Sequence, residues 1–296
     1  MKPKLLITGA SGFLGHHLLR IAGDWELYGL YNTKPATCNG ATLLPCNITN
    51  YVELGNYIED IEPDAVIHAA AISDANYCQQ YPDLSNSVNV EASRNLAGIC
   101  SDYNIPFVFT STDLVFDGLK GSYTEEDEPN PVNLYGEQKA KAEREVLSIY
   151  PLATVLRLPL MFGHPQASAA NYLQKFIAQL KQGEKAKLFT DEYRSVCGAA
   201  SISKGILQFM AQSGILHLAG KERLSRYEFG IKAAEVFGLD KKLIEACKQS
   251  DVAMAAPRPP DVSLNISKAI ALGYNPLSVE EELMAIASGS YAGNSK

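Results

Sequence analysis

Lys4-Leu5-Leu6-Ile7-Thr8-Gly9-Ala10-Ser11-Gly12-Phe13-Leu14-Gly15 runs a short apolar segment directly into a turn with glycines at three-residue spacing. A continuous apolar run of this length, ended by glycine, reads as a strand buried on both faces. The residues from Phe13 to Ile21 read as helix, and Leu27-Tyr28-Gly29-Leu30-Tyr31 reads as a second strand, so the chain opens with a β-α-β unit. In that setting Gly9, Gly12 and Gly15 fit a dinucleotide fingerprint. Such a fingerprint needs a tight turn, close approach of backbone to a pyrophosphate, and intimate packing of helix on strand. Gly9, Ser11, Gly12, Phe13 and Leu14 are therefore expected to line a cofactor site.

The alternation continues downstream. Ala65-Val66-Ile67-His68-Ala69, Phe107 to Ser111 and Thr154 to Leu158 are strand candidates, preceded by helical stretches at Tyr51 to Asp60, Val88 to Tyr103 and Tyr135 to Tyr150. Short apolar strands alternating with helices imply a parallel sheet covered on both faces. The fold class read from this is α/β, a Rossmann-type doubly wound parallel sheet. Beyond residue 160 the alternation loosens into a helical stretch from Asn171, a strand-like Ile215 to Ala219, a helix from Tyr227 to Phe237 and the Pro-rich Ala256-Pro257-Arg258-Pro259-Pro260-Asp261, where helix is disfavoured. The expected organisation is a cofactor domain over 1–160, to which 191–220 returns, and a smaller interleaved C-terminal lobe over 161–296. The small, polar Ser288 to Lys296 reads as a frayed tail.

Composition narrows the function. A net charge of −7 over 296 residues argues against a nucleic-acid surface or a polybasic membrane patch, which need clustered cations. An anionic substrate must then be met by locally placed arginines. The six cysteines lack any Cys-x-x-Cys spacing and the five histidines lack metal-ligand spacing, so reduced thiols and no metal are expected. With no secretory pattern at the N-terminus and no apolar run near the ~20 residues of a membrane span, the expectation is a soluble, cytoplasmic protein.

The chemistry is carried by Asn133-Leu134-Tyr135-Gly136-Glu137-Gln138-Lys139, in which Tyr135 follows Thr112 by 23 residues. Residues i and i+4 share a helix face, so the phenol and the amine can approach one ligand from the same side. A nearby cation favours phenolate, and Lys139 is the candidate to lower the Tyr135 pKa. At the end of the second strand, where an acidic side chain would hold adenosine ribose hydroxyls, stand Tyr31-Asn32-Thr33-Lys34. Asn32 and Lys34 tolerate a 2′-phosphate, so NADP(H) is favoured and NAD(H) is the alternative. Asn47 and Ile48 are placed at the adenine edge, and Ala69, Ala70 and Ala71 under the ribose and pyrophosphate.

These motifs, with Ser111-Thr112-Asp113-Leu114-Val115-Phe116-Asp117-Gly118, Leu224-Ser225-Arg226-Tyr227-Glu228 and the Arg258 to Lys268 segment, resemble the extended short-chain dehydrogenase/reductase family over nearly the whole chain. The likeness is greatest to dTDP-4-dehydrorhamnose reductases. The resemblance implies that Tyr135 donates a proton to a carbonyl oxygen, that Lys139 binds ribose hydroxyls, and that Thr112 bonds the same oxygen. It also implies that Arg194 and Arg258 hold a diphosphate. The substrate is then nucleotide-linked, and a homodimer is possible. Asp113 either bonds a sugar hydroxyl or caps its loop. Two departures stand out. Leu114 follows Asp113 where nucleotide-sugar 4,6-dehydratases carry a glutamate, which disfavours dehydration. Leu114 and Leu160 also replace aromatic residues usual in the reductases, removing surfaces on which a sugar could stack. Two rivals to reduction are a nucleotide-sugar epimerase and a regulatory subunit like the methionine adenosyltransferase beta subunit, which this chain also resembles.

Overall fold

The computed structural model describes residues 1–34, 38, 40–164 and 171–290; residues 291–296 of the expected frayed tail lie outside the described residues. The first half runs β1 (Lys4–Thr8), α1 (Phe13–Ile21), β2 (Glu26–Tyr31), β3 (Ala41–Pro45), α2 (Tyr51–Ile61), β4 (Ala65–His68), α3 (Ala75–Gln80), α4 (Pro82–Asn86), α5 (Ala92–Asp102), β5 (Phe107–Thr112), α6 (Leu134–Ile149) and β6 (Thr154–Leu158). The second half runs β7 (Met161–Phe162), α7 (Tyr172–Lys181), β8 (Ala186–Phe189), β9 (Tyr193–Arg194), β10 (Cys197–Gly198), α8 (Ala199–Gln208), β11 (Gly214–His217), β12 (Leu224–Ser225), α9 (Arg226–Val236), β13 (Ile244–Cys247), α10 (Ser267–Ala271) and α11 (Val279–Ala287).

Seven strands form one parallel sheet in the order β11-β6-β5-β4-β1-β2-β3. The apolar runs explain its centre. β1, β4, β5 and β6 bury nearly every side chain, because helices cover both faces. One face packs on α1 and α8, the other on α2, α5 and α6. β3 carries no such run. It is the edge strand, with all five of its residues half buried or exposed beside a paired β2. The expected helix from Val88 opens instead with a π-helical turn over Ser87–Glu91 before α5. There Asn89 turns inward, accepting from Ile72 N at 2.9 Å and donating to Ile72 O at 3.0 Å and Gln138 Oε1 at 2.9 Å.

Chain order reverses between β1 and β4, which is where open α/β sheets bind ligands. The turn after β1 is pressed against the segment after β4. Gly9 has φ of +71°, and a Cβ there would lie 2.7 Å from the Ala70 backbone. A Cβ on Gly15 would lie 2.2 Å from Gly9 O, so α1 can sit this close to the turn only without a side chain at that position.

The C-terminal half makes a second apolar centre from Phe162, α7, β8, α9, β13 and α11. Within it β8 pairs with β13, β9 with β12 and β7 with β10. β11 rejoins the main sheet beside β6, and Tyr193 lies against Pro260 and Asp261, so the Pro-rich segment is folded back over the strand ends.

Gly15→Ala is expected to lower unfolding stability by about 1–3 kcal/mol, the usual cost of overpacking, read by urea denaturation. An unchanged midpoint would show that α1 does not need this approach.

Candidate active site

A cavity of about 560 Å³ opens at the C-terminal ends of β1, β4, β5 and β6. Gly12, Phe13, Leu14, Ala69 and Ala71 form one end. Thr112, Asp113 and Tyr135 line it with Arg194, Arg226 and Arg258 of the C-terminal half. The first turn of α1 begins at Gly12 with no side-chain cap, leaving N–H groups directed at the cavity end, a donor set suited to a pyrophosphate. The structure thus fits a dinucleotide.

Each anticipated cofactor residue can be placed. Gly9 and Ser11 complete the turn, and Ala70 backs it, its N donating to Thr8 Oγ1 at 3.3 Å. Asn32 and Lys34 are exposed at the end of β2, outside the cavity. Asn47 and half-buried Ile48 follow β3, also outside the cavity. Asn47 Oδ1 accepts from Thr49 N at 3.2 Å and Thr49 Oγ1 at 2.9 Å, so it already closes its own turn.

Tyr135 and Lys139 share the buried face of α6, as their spacing requires. Asn133 caps this helix by accepting from Gly136 N at 3.0 Å. A Cβ on Gly136 would fall 2.1 Å from Leu114 O, so the first turn of α6 is drawn against the loop after β5 and Tyr135 is carried to Thr112. Thr112 itself caps that loop, accepting from Leu114 N at 3.2 Å.

The electrostatics correct one expectation. Burial, then the neighbouring Cys78 and Asp113, push the Tyr135 phenol up from its ordinary value, and its hydrogen bond with Thr112 pulls it back. Lys139 is not among the groups acting on it. The reason is placement and burial: the lysine is 1% exposed, with Nζ 3.8 Å from the centre of the Phe109 ring, and burial drives its own pKa down to about 7 against the pull of Glu143. At neutral pH the phenol stays protonated, which suits a proton donor.

Asp113 pairs with Arg194 Nη1 at 3.0 Å, and Glu192 with Arg194 Nη2 at 3.3 Å, all nearly buried. Burial raises the Asp113 pKa and Arg194 opposes the rise. Asp113 Oδ2 and Arg194 Nε are buried without a protein partner. Arg194 is thus committed to two carboxylates. Arg258 is half buried, and burial lowers its pKa with Glu192 opposing. Arg226, first residue of α9, stacks on Tyr172 at 3.7 Å; its role in the cavity was not read from sequence, although it stands in the Leu224-Ser225-Arg226 string.

The family model for the RmlD substrate binding domain matches residues 2–289. The chain belongs to that family. A probable low-salt glycan biosynthesis reductase of Haloferax volcanii is 31% identical over 288 residues, covering 95% of this chain and 96% of the relative. Methionine adenosyltransferase 2 subunit beta of Danio rerio is 28% identical, covering 94% and 86%. A solved structure described as a hypothetical dTDP-4-dehydrorhamnose reductase from Sulfolobus tokodaii superposes with a TM-score of 0.82 at 31% identity, covering 94% of this chain and 98% of that one. In this RmlD-type chain Leu114 and Leu160 both line the cavity, with Met161, Phe189 and Met254, so this part of its wall is made of aliphatic side chains and one aromatic ring. Among the described residues no group of three His, Cys, Asp or Glu could hold a metal, and no helix is long and apolar enough to cross a membrane.

Lys139 sets a pH dependence. The unfolded chain keeps this proton until about pH 10.5 and the folded protein releases it near 7, so between those values the unfolded state binds more protons and stability rises with pH. Unfolding of wild type and Lys139→Met compared from about pH 6 to about pH 10 is expected to show wild type gaining on the variant. A constant difference would contradict the depressed lysine.

Proposed function

We propose that this protein is an NAD(P)H-dependent reductase of a keto group on a nucleotide-activated sugar. One observation carries the reading: the glycine turn, the Thr112/Tyr135 pair and the arginines of the C-terminal half all face a single cavity. When bound, the reduced nicotinamide supplies a hydride to the carbonyl carbon. Tyr135 gives its phenolic proton to the carbonyl oxygen, and the product is the alcohol. Thr112 aims the phenol, and Lys139 offers its amine to the ribose side of the cofactor. Gly9, Ser11, Gly12, Phe13, Leu14 and Ala69 to Ala71 hold the pyrophosphate region, with Asn47 and Ile48 toward the adenine.

On the substrate side Arg226 and Arg258 are the cations left to meet a diphosphate. Arg194, offset by Asp113 and Glu192, holds Asp113 so that its unpartnered Oδ2 can accept from a sugar hydroxyl. Leu114 stands where a dehydratase would need a base, which leaves reduction as the reaction the residues favour. Residues 1–160 with 191–220 serve the cofactor, and the remainder of 161–296 serves the substrate. NADP(H) is the preferred cofactor because Asn32 and Lys34 replace the acidic group that would repel a 2′-phosphate. The likeness to methionine adenosyltransferase 2 subunit beta favours one second reading, a cofactor-binding subunit of another enzyme.

A panel of 4-keto nucleotide sugars offered with NADPH and NADH separates the two. Wild type is expected to turn over at least one, and Tyr135→Phe to lose about 10²–10⁴-fold in kcat with cofactor affinity retained. NADPH binding without turnover of any keto-sugar supports the subunit reading, and full activity in Tyr135→Phe removes the tyrosine from the chemistry. Lys34→Ala is expected to weaken NADPH about tenfold in a binding titration while leaving NADH unchanged. Equal effects on both would remove Lys34 from 2′-phosphate recognition.

A further inference from the structure

Asn133, the cap of α6, is 2% exposed and is bonded on both sides of its amide. Its Oδ1 accepts from Gly136 N at 3.0 Å, in the first turn of the helix that carries Tyr135. Its Nδ2 donates in the other direction, to Pro257 O at 3.1 Å, across 124 residues of chain. An N–H on one side and a carbonyl on the other leave the amide a single orientation. The segment it reaches runs from Val252 to Arg258 along the cavity, to which it contributes Met254 and Arg258. Val252, Ala253 and Ala255 are exposed, whereas Ala256 is fully buried in one apolar cluster with Tyr135, Ala75 and Cys78. A second side-chain amide holds the same place, Asn76 Oδ1 of α3 accepting from Ala256 N at 3.0 Å. Beyond Arg258 the chain is clamped: a Cβ on Gly118 would lie 2.8 Å from Pro259 and Pro260, and Pro260 O accepts from Tyr193 N at 2.7 Å.

The geometry points to Asn133 as a positioning residue for Arg258: its amide sets the place of this arginine from the capped end of α6, so that an anion gripped by Arg258 is held in register with the Tyr135 phenol. This rests on the reductase reading for its functional meaning. Local stiffness makes one bond effective. Pro257 has a fixed φ, and Arg258 precedes Pro259, which restricts it to extended backbone. With Pro257 O held, the direction in which the Arg258 side chain leaves the segment follows. Pro257, Pro259 and Pro260 have no N–H to offer a strand ladder, which leaves side chains such as Asn76 and Asn133 to fix the segment. Arg258 depends on this more than its neighbours do. Arg194 is paired with Asp113 and Glu192, and Arg226 lies over the Tyr172 ring, whereas Arg258, half buried at the cavity, is placed through its backbone.

Serine caps a helix about as well as asparagine, and threonine nearly so. Asn133→Ser and Asn133→Thr therefore keep the bond to Gly136 N and lack the amide that reaches Pro257 O. The test titrates inorganic pyrophosphate by calorimetry into the full chain with NADP+ in excess, which occupies the glycine turn. Arg258→Ala identifies the part of the binding that belongs to this arginine. Asn133→Ser is expected to weaken that part about tenfold, and Asn133→Ser/Arg258→Ala to bind no more weakly than Arg258→Ala alone, because the two residues act as one unit. Asn133→Thr carries the same cycle if the serine variant does not fold. A residue that is a helix cap and nothing more leaves pyrophosphate binding as in wild type, and that result overturns the proposal. Losses that add in the double variant overturn it too, as does wild-type pyrophosphate binding that is absent or is unchanged by Arg258→Ala. Because the readout involves no sugar and no turnover, its failure is separate from failure of the reductase reading.

Discussion

Helix α6 buries a phenol, an amine and a carboxylate on successive turns against the ends of β5 and β6, and this packing constrains everything around it. Polar groups tolerate such burial only when each finds a partner. Tyr135 is set beside Thr112, which opposes the rise that burial gives its pKa, Glu143 takes Arg157 and Ser111, and Lys139 lies on the Phe109 ring. The helix is therefore fixed in rotation as well as position. Gly136 at its first turn and Asn89 of the π-helical turn, bonded to Gln138, hold its other sides. A rigid face of this kind is what proton donation needs, because small misplacements of a reacting group are costly.

The C-terminal half brings charge to that face. Arg194, Arg226 and Arg258 come from well-separated segments and meet over one cavity, in a chain whose overall charge is negative. They are not equivalent. Arg194 is paired with Asp113 and Glu192, whereas Arg226 lies over the Tyr172 ring and Arg258 stands half buried at the cavity. The aliphatic wall of Leu114, Leu160 and Met161 sets this cavity apart from one built on stacked aromatic rings.

Much of the sheet was legible because β1, β4, β5 and β6 are continuous apolar runs bounded by turn residues, a pattern that burial on both faces produces. β3 was not, since an edge strand with exposed side chains carries no such run. Neither was α8, whose opening Ala199-Ala200-Ser201-Ile202-Ser203 shows small residues rather than an amphipathic stripe. The glycine turn, Thr112 and Tyr135 face the cavity and were legible from their spacing, as was the face of α6 that Tyr135 shares with Lys139. Of the residues defined by convergence in space, Arg194 and Arg258 came only from the family resemblance, and Glu143, Arg157 and Arg226 were missed. Glu143 on a helix and Arg157 in a strand read as surface charges until the fold pairs them, and Arg226 gains its place only when α9 docks. The expected influence of Lys139 on Tyr135 failed because sequence spacing gives a shared face but not the depth at which each side chain lies.

In a complex, α6 is expected to present Tyr135 and Lys139 together to a dinucleotide lying across the switch between β1 and β4. A crystal structure with NADPH bound tests this most directly. It should show the pyrophosphate over the first turn of α1 and the nicotinamide ring beside Tyr135. A dinucleotide bound elsewhere, or a ring directed away from the phenol, would contradict it.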